Sequence, residues 1–238
     1  MPPSPVGSSL PSDLDPSAPA AFAETLAQTA GRRDPAQWLA HTLATWGGRG
    51  DLWVFGYASL IWRPEFESAE HRPAIVHGWH RALEMRSRIN RGTPECPGLV
   101  FALVAGGSCR GMVYRIARER VEAELERLWL REMPTGVYDP KWVASKTTSG
   151  RVDALAFTLS RASPNHTGPL EDPQMLQILR SACGRYGSTL DYLLDTAASL
   201  RGCGIRDRGD RAPGGAGAPA RPDGVNRFQN RRSGASAR

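Results

Sequence analysis

The sequence predicts an α+β fold. Apolar, β-prone runs dominate the stretch after residue 51, helical periodicities are interspersed and gather towards residue 201, and there is no regular strand–helix alternation of the kind that builds a parallel sheet. No internal repeat is visible.

The elements follow in order. Residues 1–33 are rich in Pro, Ser and Ala and read as a disordered N-terminal extension. Asp34-Pro35 then reads as an N-cap followed by proline at the first helical position. Trp38, Leu39, Thr42, Leu43 and Trp46 share one face, and Gly47-Gly48 end this accessory helix, placed within 34–50. The core domain, 51–208, opens with LWVFGYASLIW, a buried strand running into a loop at Gly56 to Leu60. Residues 74–88 and 99–116 read as strands, with Gly106-Gly107 as a hairpin signal between LVFALV and CRGMVYRI. A helix is expected over 119–133, stopped by Pro134 and Gly136, then a strand over 151–159. Helices over about 172–183 and 189–201 close the domain, the second opened by a capping-box pattern at Ser188 and Asp191.

Composition excludes several classes of function. No run of about 18 apolar residues exists, so no membrane span is expected. The N-terminus lacks the basic and apolar regions of a secretory signal. Cys96, Cys109, Cys183 and Cys203 are widely spaced and read as small buried hydrophobes of a reducing compartment, so the expected location is the cytoplasm. Residues 209–238 hold six arginines against two aspartates, which is +4 of the overall +6. The basicity belongs mainly to a disordered tail, and no specific nucleic-acid partner is expected.

Helix 119–133 carries the most informative residue. Val121, Leu125 and Leu128 lie on one face, widened by Trp129, and the next position on that stripe is Glu132. A carboxylate aimed into apolar surroundings is costly unless paired, and burial raises its pKa, the environment a general base needs near neutral pH. Two readings fit: a general base, or a glutamate at the helix end paired with an arginine such as Arg131. Glu122 and Glu126 fall on a solvated face. The small residues of the 56–60 loop allow successive backbone N–H groups to form an anion-binding concavity, with Ser59 adding a hydroxyl. His77 and His80 have no nearby Asp/Cys set and would point to opposite faces of a strand, so no metal site is expected. No P-loop, GxGxxG, GxSxG or HExxH occurs, and Ser59 has no sequence-visible His partner.

Five segments together resemble the ChaC family of glutathione-specific γ-glutamylcyclotransferases. They are Trp53 to Trp62 (WVFGYASLIW), Arg91 to Gly98 (RGTPECPG), Gly106 to Gly111 (GGSCRG), Leu128 to Met133 with Thr135 to Tyr138 (LWLREM, TGVY), and Gly187 to Leu194 (GSTLDYLL). The resemblance covers about 51–208. It implies a small mixed β-barrel with flanking helices, Glu132 as the catalytic acid/base, and a γ-glutamyl-holding segment at Val54, Phe55, Gly56, Tyr57, Ala58, Ser59 and Leu60. Arg91 and Tyr192 complete the implied site, and reduced glutathione is the implied substrate, cyclised to 5-oxoproline with release of cysteinylglycine and with no cofactor. Other γ-glutamyl peptides or amines, or a pocket that binds without turnover, are the alternatives. Ala58 departs from the glycine usual in the Tyr-Gly-Ser-Leu motif, and a positive φ there would strain the loop.

Overall fold

The computed structural model describes residues 34–205, so the expectations for 1–33 and 209–238 lie outside the described residues. Five strands close a mixed barrel: β1 (Leu52–Gly56), β2 (Glu70–Ser87), β3 (Gly98–Ile116), β4 (Asp139–Thr147) and β5 (Gly150–Thr158), in the order β1-β3-β2-β4-β5. All neighbouring pairs along that order are antiparallel. Closure comes from parallel pairing of β1 with β5, where Trp53 meets Ala154 and Val54 meets Leu155. The helices are α1 (Pro35–Trp46), α2 (Ser59–Trp62), α3 (Val121–Glu132), α4 (Asp172–Ser181) and α5 (Thr189–Gly202), with a small two-stranded ribbon, β6 (Cys183–Gly184) and β7 (Gly187–Ser188), between the last two.

Side-chain alternation along the strands splits the core in two. Phe55, Val76, Leu103, Val113, Val143 and Ala154 belong to a cluster drawn from all five strands. Their neighbours Val54, Val104 and Leu155 turn the other way and join Val121, Leu125, Leu128 and Trp129 of α3. The accessory helix α1 packs against this second cluster through Trp38, Leu39, Leu43 and Trp46. The Trp129 indole N–H donates to the Pro35 carbonyl at 2.8 Å, tying α1 to α3. Asp34 caps α1 by accepting from the Ala36 N–H at 2.9 Å. Ser188 and Asp191 form the complete capping box of α5.

Four expectations are corrected. Gly106-Gly107 is not a hairpin turn: β3 runs unbroken through it and pairs with β2 on both sides. The register shifts between His77 and Trp79, so Gly78 alone opposes the two glycines, and all three have positive φ (82°, 106° and 69°). That is a β-bulge, which bends a long two-stranded ribbon and helps it curl into a barrel. Strand β4 was not expected; its buried positions Ser145 and Thr147 are polar, which hides the period-2 pattern from a hydrophobicity reading. Of the four cysteines, all free, only Cys109 is buried; Cys183 is exposed and Cys96 and Cys203 are intermediate. Residues 59–62, read as loop, form the single turn α2.

Candidate active site

The stripe of α3 leads to the site. Val121, Leu125, Leu128 and Trp129 are buried, and the same face ends at Glu132, whose side chain is 14% exposed. The helix stops there because Pro134 cannot continue it and Gly136 turns the chain at φ 61°. Glu122 and Glu126 are exposed, as expected. Glu132 thus sits where the apolar stripe runs out of core and meets a cavity of about 500 Å³.

Burial raises the Glu132 carboxyl above the usual carboxylate range, against the opposing pull of Arg131. Arg131 Nε lies 2.9 Å from Glu132 Oε1, so the pairing that the sequence left as an alternative is present together with the raised pKa. Three phenols feel the same carboxylate: Tyr57, Tyr138 and Tyr192, all pushed up by burial and so protonated at neutral pH. Tyr57 donates to the Phe157 carbonyl at 2.9 Å. The Tyr192 hydroxyl accepts from the Phe101 N–H at 3.1 Å, leaving its own proton to donate towards the cavity.

The 57–60 segment lines the same cavity. Arg81 Nε holds the Tyr57 carbonyl, and the Trp62 indole N–H reaches Thr196 Oγ1 at 3.3 Å, anchoring α2 on α5. Ala58 has φ −143°, outside the left-handed region, so the positive-φ strain considered from the sequence does not arise. In the first turn of α2 the Ile61 N–H donates to the Ala58 carbonyl at 2.9 Å, while the Ser59 and Leu60 N–H groups precede any helical acceptor. Six arginines (Arg63, Arg86, Arg88, Arg91, Arg131, Arg185) line the cavity against two glutamates, Glu65 and Glu132. That excess of positive charge suits an anionic small molecule.

A family model described as ChaC-like protein matches residues 52–212. The chain belongs to the ChaC-like family. Among its relatives, a glutathione-specific gamma-glutamylcyclotransferase of Escherichia coli K12 is 37% identical over 172 residues, covering 72% of this chain and 74% of that protein. Glutathione-specific gamma-glutamylcyclotransferase 1 of Mus musculus is 32% identical over 168 residues, covering 67% and 75%. A crystal structure of the yeast γ-glutamyl cyclotransferase specific to glutathione matches with a TM-score of 0.59 at 22% identity, over 64% of this chain and 88% of that one, and supports the barrel fold.

Within this ChaC-like chain the residues singled out from sequence divide into two groups. Glu132, Tyr57, Ala58, Ser59, Leu60, Arg91 and Tyr192 line one cavity. Val54, Phe55 and Gly56 do not; they lie beneath it, Val54 and Phe55 fully buried in the two core clusters. Gly56 is needed at close quarters, since a Cβ there would stand 3.0 Å from both Leu60 Cβ and the Tyr114 ring. Arg91 is buried under the 186–188 turn, with Nη1 donating to the Tyr186 and Ser188 carbonyls and the guanidinium 5.2 Å from the Tyr192 ring centroid. Tyr138 and the arginines at 63, 86, 88 and 185 were missed. Tyr138 stands six positions past Glu132 beyond a turn, and the arginines come from segments that meet only in the folded chain. His80 is occupied by a 3.0 Å contact with the Gly106 carbonyl, and among the described residues no group of three or more His, Cys, Asp or Glu side chains could hold a metal ion.

Proposed function

We propose that this chain is a glutathione-specific γ-glutamylcyclotransferase, converting glutathione to 5-oxoproline and cysteinylglycine with Glu132 as the proton-transferring residue. One observation carries the reading: a mostly buried carboxylate of raised pKa opens into a small-molecule cavity between three protonated phenols and an excess of arginines. The activity for which the Escherichia coli and Mus musculus relatives are named agrees with it.

Glutathione brings nucleophile and electrophile in one molecule, so the enzyme folds the substrate and moves protons. Glu132 takes a proton from the glutamyl α-ammonium. The freed amine attacks the γ-carbonyl carbon, a five-membered ring forms, and the bond to the cysteinyl nitrogen breaks. The proton on Glu132 then passes to that leaving amine, and the second proton, shed by the ring nitrogen as it becomes an amide N–H, leaves with the same amine as its ammonium form. A carboxyl above its ordinary pKa of about 4.3 is the better donor in this last step. The Tyr192 hydroxyl and the backbone N–H groups of 58–60 are the donors available to the γ-carbonyl oxygen as it gains charge, or to the glutamyl carboxylate. The negative φ of Ala58 is consistent with an undistorted loop and supports turnover over a pocket that only binds.

The test is incubation of the purified protein with reduced glutathione, following 5-oxoproline and cysteinylglycine. Formation of both from wild type and of neither from Glu132→Gln supports the reading. Wild-type protein that binds glutathione without releasing 5-oxoproline overturns it.

A further inference from the structure

Arg131 makes more contacts around the cavity than pairing with its neighbour requires. Its Nε holds Glu132 Oε1 at 2.9 Å. Its Nη1 donates to the Arg63 carbonyl and lies 3.2 Å from Glu65 Oε2, while Nη2 lies 3.2 Å from Ser59 Oγ. One guanidinium therefore spans the end of α3 and both ends of the α2 segment. Its side chain is only 17% exposed, so these contacts are shielded from solvent and worth more than a surface pair.

We infer that Arg131 is the positioning residue of the site, holding Glu132 by Oε1 so that Oε2 handles the proton, and locking the base to the loop that carries Ser59. The inference rests on the function proposed above. Glu65 supports it from the other side. It is the single non-glycine residue with positive φ among the described residues, at 56°. An L-residue there is strained and persists only where surrounding contacts hold it. Its carboxylate is held by Arg63 and Arg131 together.

The charged and titratable groups facing Glu132 come from every side of the cavity. They are Arg131 on its own helix, Glu65 from the loop after α2, Tyr57 after β1, Tyr138 before β4 and Tyr192 on α5. Only Arg131 among them favours the carboxylate; Glu65 opposes it, and the phenols stay neutral. Removing the guanidinium leaves two carboxylates facing each other across a half-dry gap, so the Glu132 pKa climbs further. A base that must start deprotonated then works only at higher pH.

The experiment compares wild type, Arg131→Gln and Arg131→Lys. Turnover of glutathione is measured against pH, and the Glu132 carboxyl is titrated by ¹³C NMR of δ-¹³C-glutamate-labelled protein, with Glu132→Gln used for assignment. Arg131→Gln is expected to move the acid limb of kcat/KM and the NMR midpoint upward together, by about 1–3 pH units. It also lowers kcat more than it raises KM. Arg131→Lys keeps a positive charge but not the fork that reaches Ser59 and Arg63. Its midpoint stays near that of wild type while kcat falls about tenfold or more. An unchanged midpoint in a folded Arg131→Gln overturns the inference. If that variant does not fold, Arg131→Lys decides alone, and a wild-type kcat there overturns it. The NMR midpoint needs no turnover, so inactive wild-type protein would sink the proposed function while the arginine's hold on Glu132 is still tested.

Discussion

Arg131 and Glu132 are adjacent in sequence and paired at 2.9 Å, yet the carboxyl of Glu132 remains above its usual range. Two effects of opposite sign meet here, and burial wins. A salt bridge would ordinarily mark a carboxylate as structural and depress its pKa. At this site the partner arginine is divided among Glu132, Glu65, Ser59 and the Arg63 carbonyl, so each acceptor receives only part of it. The result is an ionisable carboxylate held in place without being silenced, as acid–base catalysis requires.

Glu132→Gln should abolish turnover and yet stabilise the protein at neutral pH. A folded-state pKa raised above the unfolded value means that the protonated form favours folding. That contribution is full below about pH 4.3 and is lost as pH rises through the folded value. Glutamine mimics the protonated acid at every pH. The melting temperature of the variant minus that of wild type should therefore be more positive near pH 7.5 than near pH 4. Turnover should fall below about a tenth of wild type, since general acid–base catalysis is worth roughly 10²–10⁴. A variant that melts lower than wild type at pH 7.5 would mean that pairing, not burial, dominates Glu132.

Gly98→Ala should unfold the turn that carries Arg91. A Cβ at Gly98 would stand 2.0 Å from the Arg91 carbonyl oxygen and 2.4 Å from Thr189 Oγ1. Thr189 itself is fully buried and joins the two segments, accepting from the Leu99 N–H and donating to the Arg91 carbonyl, each at 3.1 Å. Relief would require backbone movement through that link, so the loss should reach about 3 kcal/mol or more. At roughly 2–4 °C per kcal/mol for a chain of this size, melting should drop by about 6 °C or more. Unchanged melting would show that the 91–98 turn gives way freely.

Much of this site was legible because its signals are local. The α3 stripe needs only helical spacing to aim Glu132 at the core, and the Ser188–Asp191 box and the Asp34-Pro35 start are complete within four residues. What was not legible depends on distant partners. Gly106-Gly107 suits a reversal or a bulge equally, and Gly78 on the facing strand decides between them. Strand β4 buries Ser145 and Thr147 once it is paired into the closed barrel, which no property of those residues announces. The six arginines of the cavity are scattered from position 63 to 185, and only the folded chain brings them round one cavity.

Chelation should leave the activity intact. The proposed chemistry needs proton transfer and ring closure alone, and His77 and His80 do not share a site with a carboxylate or thiolate set. Rates measured before and after prolonged EDTA treatment should agree. Loss of turnover restored by a divalent ion would require a different mechanism at Glu132.

Reduced glutathione should be preferred over γ-glutamyl-alanine and γ-glutamyl-lysine. All three present the same ammonium, γ-carbonyl and scissile amide to Glu132, so any discrimination must arise beyond the reacting atoms. In the dipeptides the leaving half carries its carboxylate next to the scissile nitrogen, whereas glutathione carries it one residue further out. A cavity of about 500 Å³ leaves room for that extra residue, and its arginines supply cations well beyond what the glutamyl carboxylate alone would occupy. Arg91 holds the Tyr186 and Ser188 carbonyls, and Arg88 and Arg185 line the same cavity as further cations within reach of a distant carboxylate. One charge-assisted hydrogen bond lost to a truncated substrate is worth about 1.5–3 kcal/mol, or roughly a 10–150-fold difference in kcat/KM. Because such remote contacts also orient the reacting groups, part of the difference should fall on kcat. Initial rates at equal enzyme concentration over a range of each substrate separate the two parameters. Equal kcat/KM for glutathione and either dipeptide would remove the glutathione specificity and leave the cyclisation chemistry standing.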